Sequence, residues 1–111
     1  MIKRGEVYWV NLDPTVGAEI RKTRPGLVVS NDTNNLHAQT VTVLPLTSRV
    51  ERVYPFEVLL RPGTFGNREA SKAKANQIRT VDIQRLGKVI GTVPDEIMEA
   101  VDEAIRLHLG L

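Results

Sequence analysis

Cysteine is absent from the 111 residues, histidine occurs twice and aromatic residues only five times. Without cysteine a disulfide framework and thiolate metal sites are excluded, and a reducing compartment is permitted. His37 falls in a polar turn and His108 in the last turn of a terminal helix, so no His-x-x-His metal spacing exists and a two-histidine ribonuclease mechanism is disfavoured. Tyr8, Trp9, Tyr54, Phe56 and Phe65 are too few for a stacking platform; Trp9 and Phe56 read as core, leaving Tyr54 or Phe65 to stack on an unpaired base. There is no P-loop, no dinucleotide fingerprint, no internal repeat and no low-complexity linker. No run reaches membrane-spanning length, and the charged start Met1–Glu6 has no apolar segment behind it, which predicts no signal peptide. The expectation is one domain over residues 1–111, cytoplasmic and soluble.

The net charge of +2 hides an uneven distribution. Residues 1–94 carry 14 Lys/Arg and 8 Asp/Glu, while residues 95–111 set Arg106 against Asp95, Glu96, Glu99, Asp102 and Glu103. A basic body with an acidic tail fits a polyanion partner such as nucleic acid, although a solvated mixed surface gives the same balance.

Short apolar runs separated by turn residues dominate the chain. Glu6–Leu12 reads as a strand apolar on both faces, Gly26–Ser30 as a buried strand, and Thr40–Leu46 as a β-branched strand ending at Thr47 and Ser48. Asn31–Asn35 reads as a turn, Tyr54–Leu60 as a strand that Pro55 demotes at its start, Arg61–Asn67 as a turn, and Lys88–Val93 as the last strand. Ser71–Ile78 fits helix or strand by propensity, with Thr80–Asp82 ending that stretch and Ile83–Leu86 turning. Pro94 suits a first helical turn with Asp95 and Glu96 at its positive end; Ile97, Ala100, Val101, Ala104, Ile105 and His108 form one face, and Gly110 ends it. Five to seven strands and a lone terminal helix predict a mainly β fold, a small, strongly bent antiparallel barrel or sandwich.

The most distinctive stretch is Asn11–Asn31. Asp13-Pro14 and Gly17 turn the chain out of the sheet, Arg21, Lys22 and Arg24 crowd a loop holding Glu19, and Pro25 fixes Arg24 in extended geometry before Leu27-Val28-Val29. A planar guanidinium at a sheet edge matches phosphate oxygens bidentately. Its alternative is an ion pair with Glu19 or Asp13 that pins the loop. Thr47 at a strand end offers a hydroxyl that donates and accepts, or caps a turn.

This stretch, together with Leu44-Pro45-Leu46-Thr47-Ser48, Tyr54-Pro55-Phe56-Glu57-Val58 and Asn76-Gln77-Ile78-Arg79-Thr80-Val81-Asp82, resembles the MazF/PemK/Kid family of toxin ribonucleases over nearly the whole chain. The resemblance implies an SH3-like small β-barrel, makes Ser71–Ile78 a strand, and implies a homodimeric, sequence-selective endoribonuclease acting on single-stranded RNA. The implied products are a 2′,3′-cyclic phosphate and a 5′-hydroxyl, formed without metal or cofactor and restrained by an antitoxin with a flexible acidic tail. It assigns catalysis to Arg24 and Thr47. Glu19 either accepts the 2′-hydroxyl proton or positions Arg24. RNA contacts are expected from Asn31, Ser48, Lys74, Asn76, Gln77 and Arg79, the Gln77 amide reading a base edge and Arg79 and Lys74 attracting the backbone. Kid-like members use an Arg-Cys-Asp run and a loop histidine; Lys74-Ala75-Asn76 and Ala18 stand here instead, so that trio is missing. Two rivals remain: an RNA-binding module of the same fold that does not cut, and a gyrase-binding toxin, whose terminal Trp this chain lacks.

Overall fold

The computed structural model describes all 111 residues. Seven strands, β1 (Glu6–Asn11), β2 (Thr23–Val28), β3 (Thr40–Thr47), β4 (Glu57–Leu60), β5 (Ser71–Lys74), β6 (Arg79–Asp82) and β7 (Leu86–Thr92), are joined by two helices, α1 (Asp32–His37) and α2 (Asp95–Leu109). All pairings are antiparallel, in the order β4-β5-β3-β2-β1-β7, with β6 also beside β3. The expected mainly β fold with a terminal helix is present, and the barrel is realised as a bent, barrel-like sheet that does not close. No helix is long and apolar enough to cross a membrane.

The bend is centred on β3. Its first half lies between β2 and β6, whereas Leu46 and Thr47 pair with Ala73 and Lys72 of β5. The Thr42 carbonyl accepts from the Val29 N–H at 2.9 Å, on the β2 side, so alternation turns the Pro45 nitrogen toward β5 and β6. Proline has no hydrogen there to donate, and the ladder that β5 and β6 form with β3 breaks opposite it. Between the pairs Leu46↔Ala73 and Val43↔Arg79 the neighbouring chain arches out as a 3₁₀ turn, Ala75–Gln77. The expected continuous strand Ser71–Ile78 is therefore corrected: it ends at Lys74, and Thr80–Asp82 belong to a separate strand.

Bending gives the sheet two cores. Val7, Leu27, Leu44, Leu46, Leu60, Phe65 and Ala73 pack with Met98, Val101 and Ala104 of α2. Val10, Leu12, Val28, Val41, Val43 and Val81 form a smaller core closed by Ile20 and Leu86. Burying each of these aliphatic side chains stabilises the fold by about 1.5–3 kcal/mol. Strands covered on both faces explain the near-continuous apolar runs. In α2 the face shifts from the expected one: Met98 is buried, while Ala100 and His108 are exposed. Gly110, at φ +72°, ends the helix as expected.

Other local expectations fail for definable reasons. Asn31–Asn35 is not a plain turn: the Asn31 side chain accepts from the Asn34 N–H at 2.8 Å and starts α1, the same hydrogen-bonding habit used as a cap. Trp9 is 44% exposed rather than core, because register shifts against β7 at Val7/Tyr8 and Tyr8/Val10 break the alternation and bury Val7 and Val10 instead. Phe65, expected near the surface, is buried, and its backbone lies over Gly91. Phe56 is half-buried and stacks on Tyr54 with ring centroids 5.4 Å apart.

A Cβ at residue 91 would lie 1.9 Å from the Phe65 carbonyl oxygen, whereas one at Gly17 meets nothing within 4 Å. Gly91→Ala is expected to cost about 3 kcal/mol by displacing the loop from β7. Gly17→Ala, strained only by its φ of +57°, should cost about 1 kcal/mol. Urea denaturation compares them, and equal losses would contradict the close approach of these backbones.

Candidate functional site

The β1–β2 loop and the strand ends beside it enclose a cleft of about 450 Å³. Pairs between β2 and β3 run Val28↔Val43, Leu27↔Leu44 and Gly26↔Pro45, and extending that register by two residues aligns Arg24 with Thr47. Both lie on the face that packs the smaller core, since Val10 pairs with Arg24 and Val43 precedes Thr47 by four residues on β3. Gly26 allows this approach: a Cβ there would lie 2.8 Å from Val10 Cγ2. Thr47 in turn pairs with Lys72. A row of polar side chains thus crosses three adjacent strands at the rim of a core.

Arg24 is exposed and forms no ion pair; its Nε donates only to the Arg21 carbonyl at a long 3.4 Å. The alternative in which Glu19 or Asp13 pins it does not occur. Asp13 accepts from the Thr15 hydroxyl, and Glu19 accepts from the Val16 N–H at 2.7 Å. Glu19 consequently shapes its own loop rather than holding Arg24, and it lines the cleft. The half-buried Thr47 accepts from the Arg49 N–H at 3.2 Å, which leaves its O–H free to donate. Arg21, Arg49 and Lys72 complete a lining of five cations, with Arg24 and Lys74, against the single carboxylate of Glu19.

A second cavity, about 320 Å³, adjoins the first across Ala18 and Glu19 and is lined by Asn76, Gln77 and Arg79. Gln77 is spent mainly on the loop: its Nε2 donates to the Ala18 carbonyl and its Oε1 accepts from the Ile20 N–H, both at 3.2 Å. One N–H and one lone pair of the carboxamide remain open for a base edge. Arg79 donates to the Leu12 carbonyl at 3.0 Å, and Arg85 holds the Asn11 and Asp13 carbonyls. Asn76 is exposed and its side chain is unengaged. The arch opposite Pro45 thus both presents Asn76 and anchors the loop.

Two expected residues fall elsewhere. Asn31 caps α1 and lines none of the three cavities. Ser48, one residue beyond Thr47, turns to the opposite side and lines a third cavity with Trp9, Pro25 and Phe65. His37 and His108 are exposed and line no cavity. Sequence reasoning missed Arg49 and Lys72. Their signal was present, a basic residue two past Thr47 and one in the alternation Ser71-Lys72-Ala73-Lys74, but only register brings them together.

Beneath the cleft lies an ionic cluster. Lys72 Nζ donates to Glu57 Oε1 at 2.9 Å and to the Arg52 carbonyl at 2.6 Å, the Tyr54 N–H donates to the same Oε1 at 2.9 Å, and Lys74 Nζ lies 3.0 Å from Oε2 as an off-axis ion pair. Burial alone pushes the Glu57 carboxyl up; the Tyr54 N–H and the two ammonium groups outweigh it and hold the pKa below its ordinary value.

A bent β-sheet carrying a loop-walled cleft lined by five cations, three of them without an ion pair, defines a class of small polyanion-binding proteins, with its hydroxyl and guanidinium set for a phosphate. A model of PemK-like, MazF-like toxins of type II toxin-antitoxin systems matches residues 3–109, and the chain belongs to that family. It is similar to endoribonuclease MazF9 of Mycobacterium tuberculosis, with 44% identity over 116 aligned residues covering 100% of this chain and 98% of that protein. Among solved structures, MazF of Deinococcus radiodurans superposes with a TM-score of 0.85 at 29% identity, covering 99% of this chain and 97% of the other. A mycobacterial endoribonuclease in complex with its cognate antitoxin gives 0.83 at 28% identity, covering 100% and 97%.

The folded Glu57 pKa lies below the unfolded one, so its stabilisation is complete above about 4.5 and is lost as pH falls through the lowered value. Glu57→Gln is expected to cost about 3 kcal/mol at pH 7, where it leaves two lysines sharing no anion. The difference in unfolding free energy from wild type should shrink as pH drops below 4.5. A difference that stays constant down to pH ~2 would show the carboxylate charge to be immaterial.

Proposed function

We infer that this protein is a toxin endoribonuclease that cleaves single-stranded RNA at a short recurrent sequence and is neutralised by an antitoxin. The observation that carries the reading is Arg24, free of any carboxylate and aligned with Thr47 in a cleft of five cations and one carboxylate. Family membership and the endoribonuclease relatives support it.

The substrate supplies its own nucleophile, so the reaction requires no metal or cofactor. The 2′-oxygen attacks phosphorus while its proton passes to a base, for which Glu19 is the carboxylate in the cleft. The P–O5′ bond breaks and the departing oxygen takes a proton from water, leaving a 2′,3′-cyclic phosphate and a 5′-hydroxyl. Arg24 binds the phosphorane oxygens bidentately, in the state where their charge is greatest. Thr47 donates its free O–H to the same phosphate. Asn76 and the unspent half of Gln77 contact a base in the adjoining cavity, and Arg79 and Lys74 hold backbone.

The antitoxin's flexible acidic tail occupies the same cationic cleft and covers Arg24, so inhibition is competition for charge. A homodimer belongs to this reading, and Trp9, 44% exposed on β1, offers it apolar surface. The toxin domain spans residues 1–111, and its RNA substrate places its action in the cytoplasm.

Incubation with long single-stranded RNA in excess chelator, followed by mapping of fragment ends, tests the reading. Wild type should cut at a recurrent sequence, and Arg24→Ala should lose about 10²–10³-fold in rate. Arg24→Lys should not recover it, because an ammonium cannot reproduce the planar fork. Glu19→Gln separates base from bystander: undiminished cleavage would remove Glu19 from the mechanism. RNA that is bound but left intact across diverse sequences would favour a binding module instead.

A further inference from the structure

We propose that Lys72, Glu57 and Lys74 form a second phosphate subsite, which binds the RNA phosphodiester next to the one being cut. The assignment rests on the ribonuclease reading and extends it by one nucleotide.

The cluster places two ammonium groups against one carboxylate, with side-chain exposures of 9% for Lys72, 22% for Lys74 and none for Glu57. One positive charge is uncompensated in a largely desolvated position, an arrangement that costs stability until an anion completes it. The open donors point to where that anion binds. Lys72 has used two of its three N–H groups, on Arg52 and Glu57, and Lys74 only the ion pair to Glu57. Both line the same cleft as Arg24 and Thr47.

Register sets the spacing. Arg24, Thr47 and Lys72 stand in a row on three neighbouring strands, and strands are about 4.8 Å apart. Lys74 follows Lys72 by two residues, on the same face and opposite Glu57. The lysines are thus displaced from the Arg24–Thr47 pair along the cleft rather than superimposed on it, as a neighbouring phosphate requires. Glu57 acts as a positioning residue: it keeps two flexible ammonium groups from scattering into solvent and leaves a net charge of one to match one phosphodiester.

The test uses an oligonucleotide carrying the wild-type cleavage sequence, with a 2′-deoxy sugar at the cut to prevent reaction. Its binding is measured against salt for wild type and for Lys74→Met, which leaves Lys72 to satisfy Glu57. A second oligonucleotide places a neutral methylphosphonate beside the scissile phosphate, one on either side in turn. For wild type, one of these replacements should weaken binding about tenfold. Lys74→Met should bind the charged RNA with a salt slope lower by about 0.7 and be indifferent to that same replacement. Lys72→Met, which leaves Lys74 to satisfy Glu57 and so also removes the excess charge, should behave likewise if folded by circular dichroism. Unchanged slopes, or an equal methylphosphonate cost in wild type and Lys74→Met, overturn the subsite while wild-type cleavage keeps the ribonuclease reading intact. Wild type that neither cuts nor binds RNA overturns both.

Discussion

Pro45 has no N–H to give on the side of β3 that faces β5 and β6, and the site follows from that missing donor. A ladder that ran unbroken would make residues 71–82 one long strand flat against β3. Instead the pairing stops at Leu46↔Ala73, resumes at Val43↔Arg79, and the excess chain between them rises as the turn Ala75–Gln77. From that height Gln77 reaches the Ala18 carbonyl and the Ile20 N–H, replacing with one carboxamide the partners that a strand would have supplied. The β1–β2 loop is thereby held upright as the wall shared by two cavities. With the wall in place, Arg24 and Thr47 stand in a bounded cleft rather than on an open sheet face.

Cations dominate the enclosed space, and the fold tolerates them by treating them in two ways. Arg21, Arg24 and Arg49 remain near water at the rim, where like charges repel weakly in high dielectric. Lys72 and Lys74 go deeper, and there the buried Glu57 is required. Its carboxylate is fixed by the Tyr54 N–H, so the segment that brings Arg52 and Tyr54 to the edge of β4 is tied to the same cluster. Placing the acid under the basic floor keeps the cleft cationic at its surface while limiting the repulsion that would otherwise open the sheet at β5.

Much of this is legible in the sequence where a local rule decides. The β-branched runs, the Pro94–Gly110 helix and the turn at Asp13-Pro14 are set by propensity and patterning, and the Arg24 and Thr47 motifs stand out at strand ends. What escapes is non-local. Trp9 lies outside because β1 slips register against β7, and Phe65 lies inside because Gly91 admits its backbone; neither fact is encoded near the residue it governs. Asn31 and Asn34 carry the same hydrogen-bonding preference in a turn or at a helix cap, and tertiary contacts choose between them. Ser48 reads as a partner of Thr47 by adjacency, yet alternation in an extended chain sends it to the other side. Lys72 reads as one of several surface cations until pairing with Thr47 and proximity to Glu57 make it part of a floor.

The loop is held differently from the sheet, and that difference bears on function. Buried valines and leucines stabilise the strands, whereas beyond Leu12 and Ile20, its apolar anchors in the smaller core, the loop is attached by hydrogen bonds from Gln77, Arg79 and Arg85 to its carbonyls and one N–H. Each such bond contributes about 1 kcal/mol net and can be exchanged for a bond to a ligand at little cost. A polyanion entering the cleft therefore meets a rigid floor and a wall that can shift without exposing core. Chemistry that needs Arg24 placed against a phosphate is served by the floor, and admission of a chain with bulky bases by the wall. Dividing the two tasks between packing and hydrogen bonding lets one small sheet be stable and still receive a long, flexible substrate.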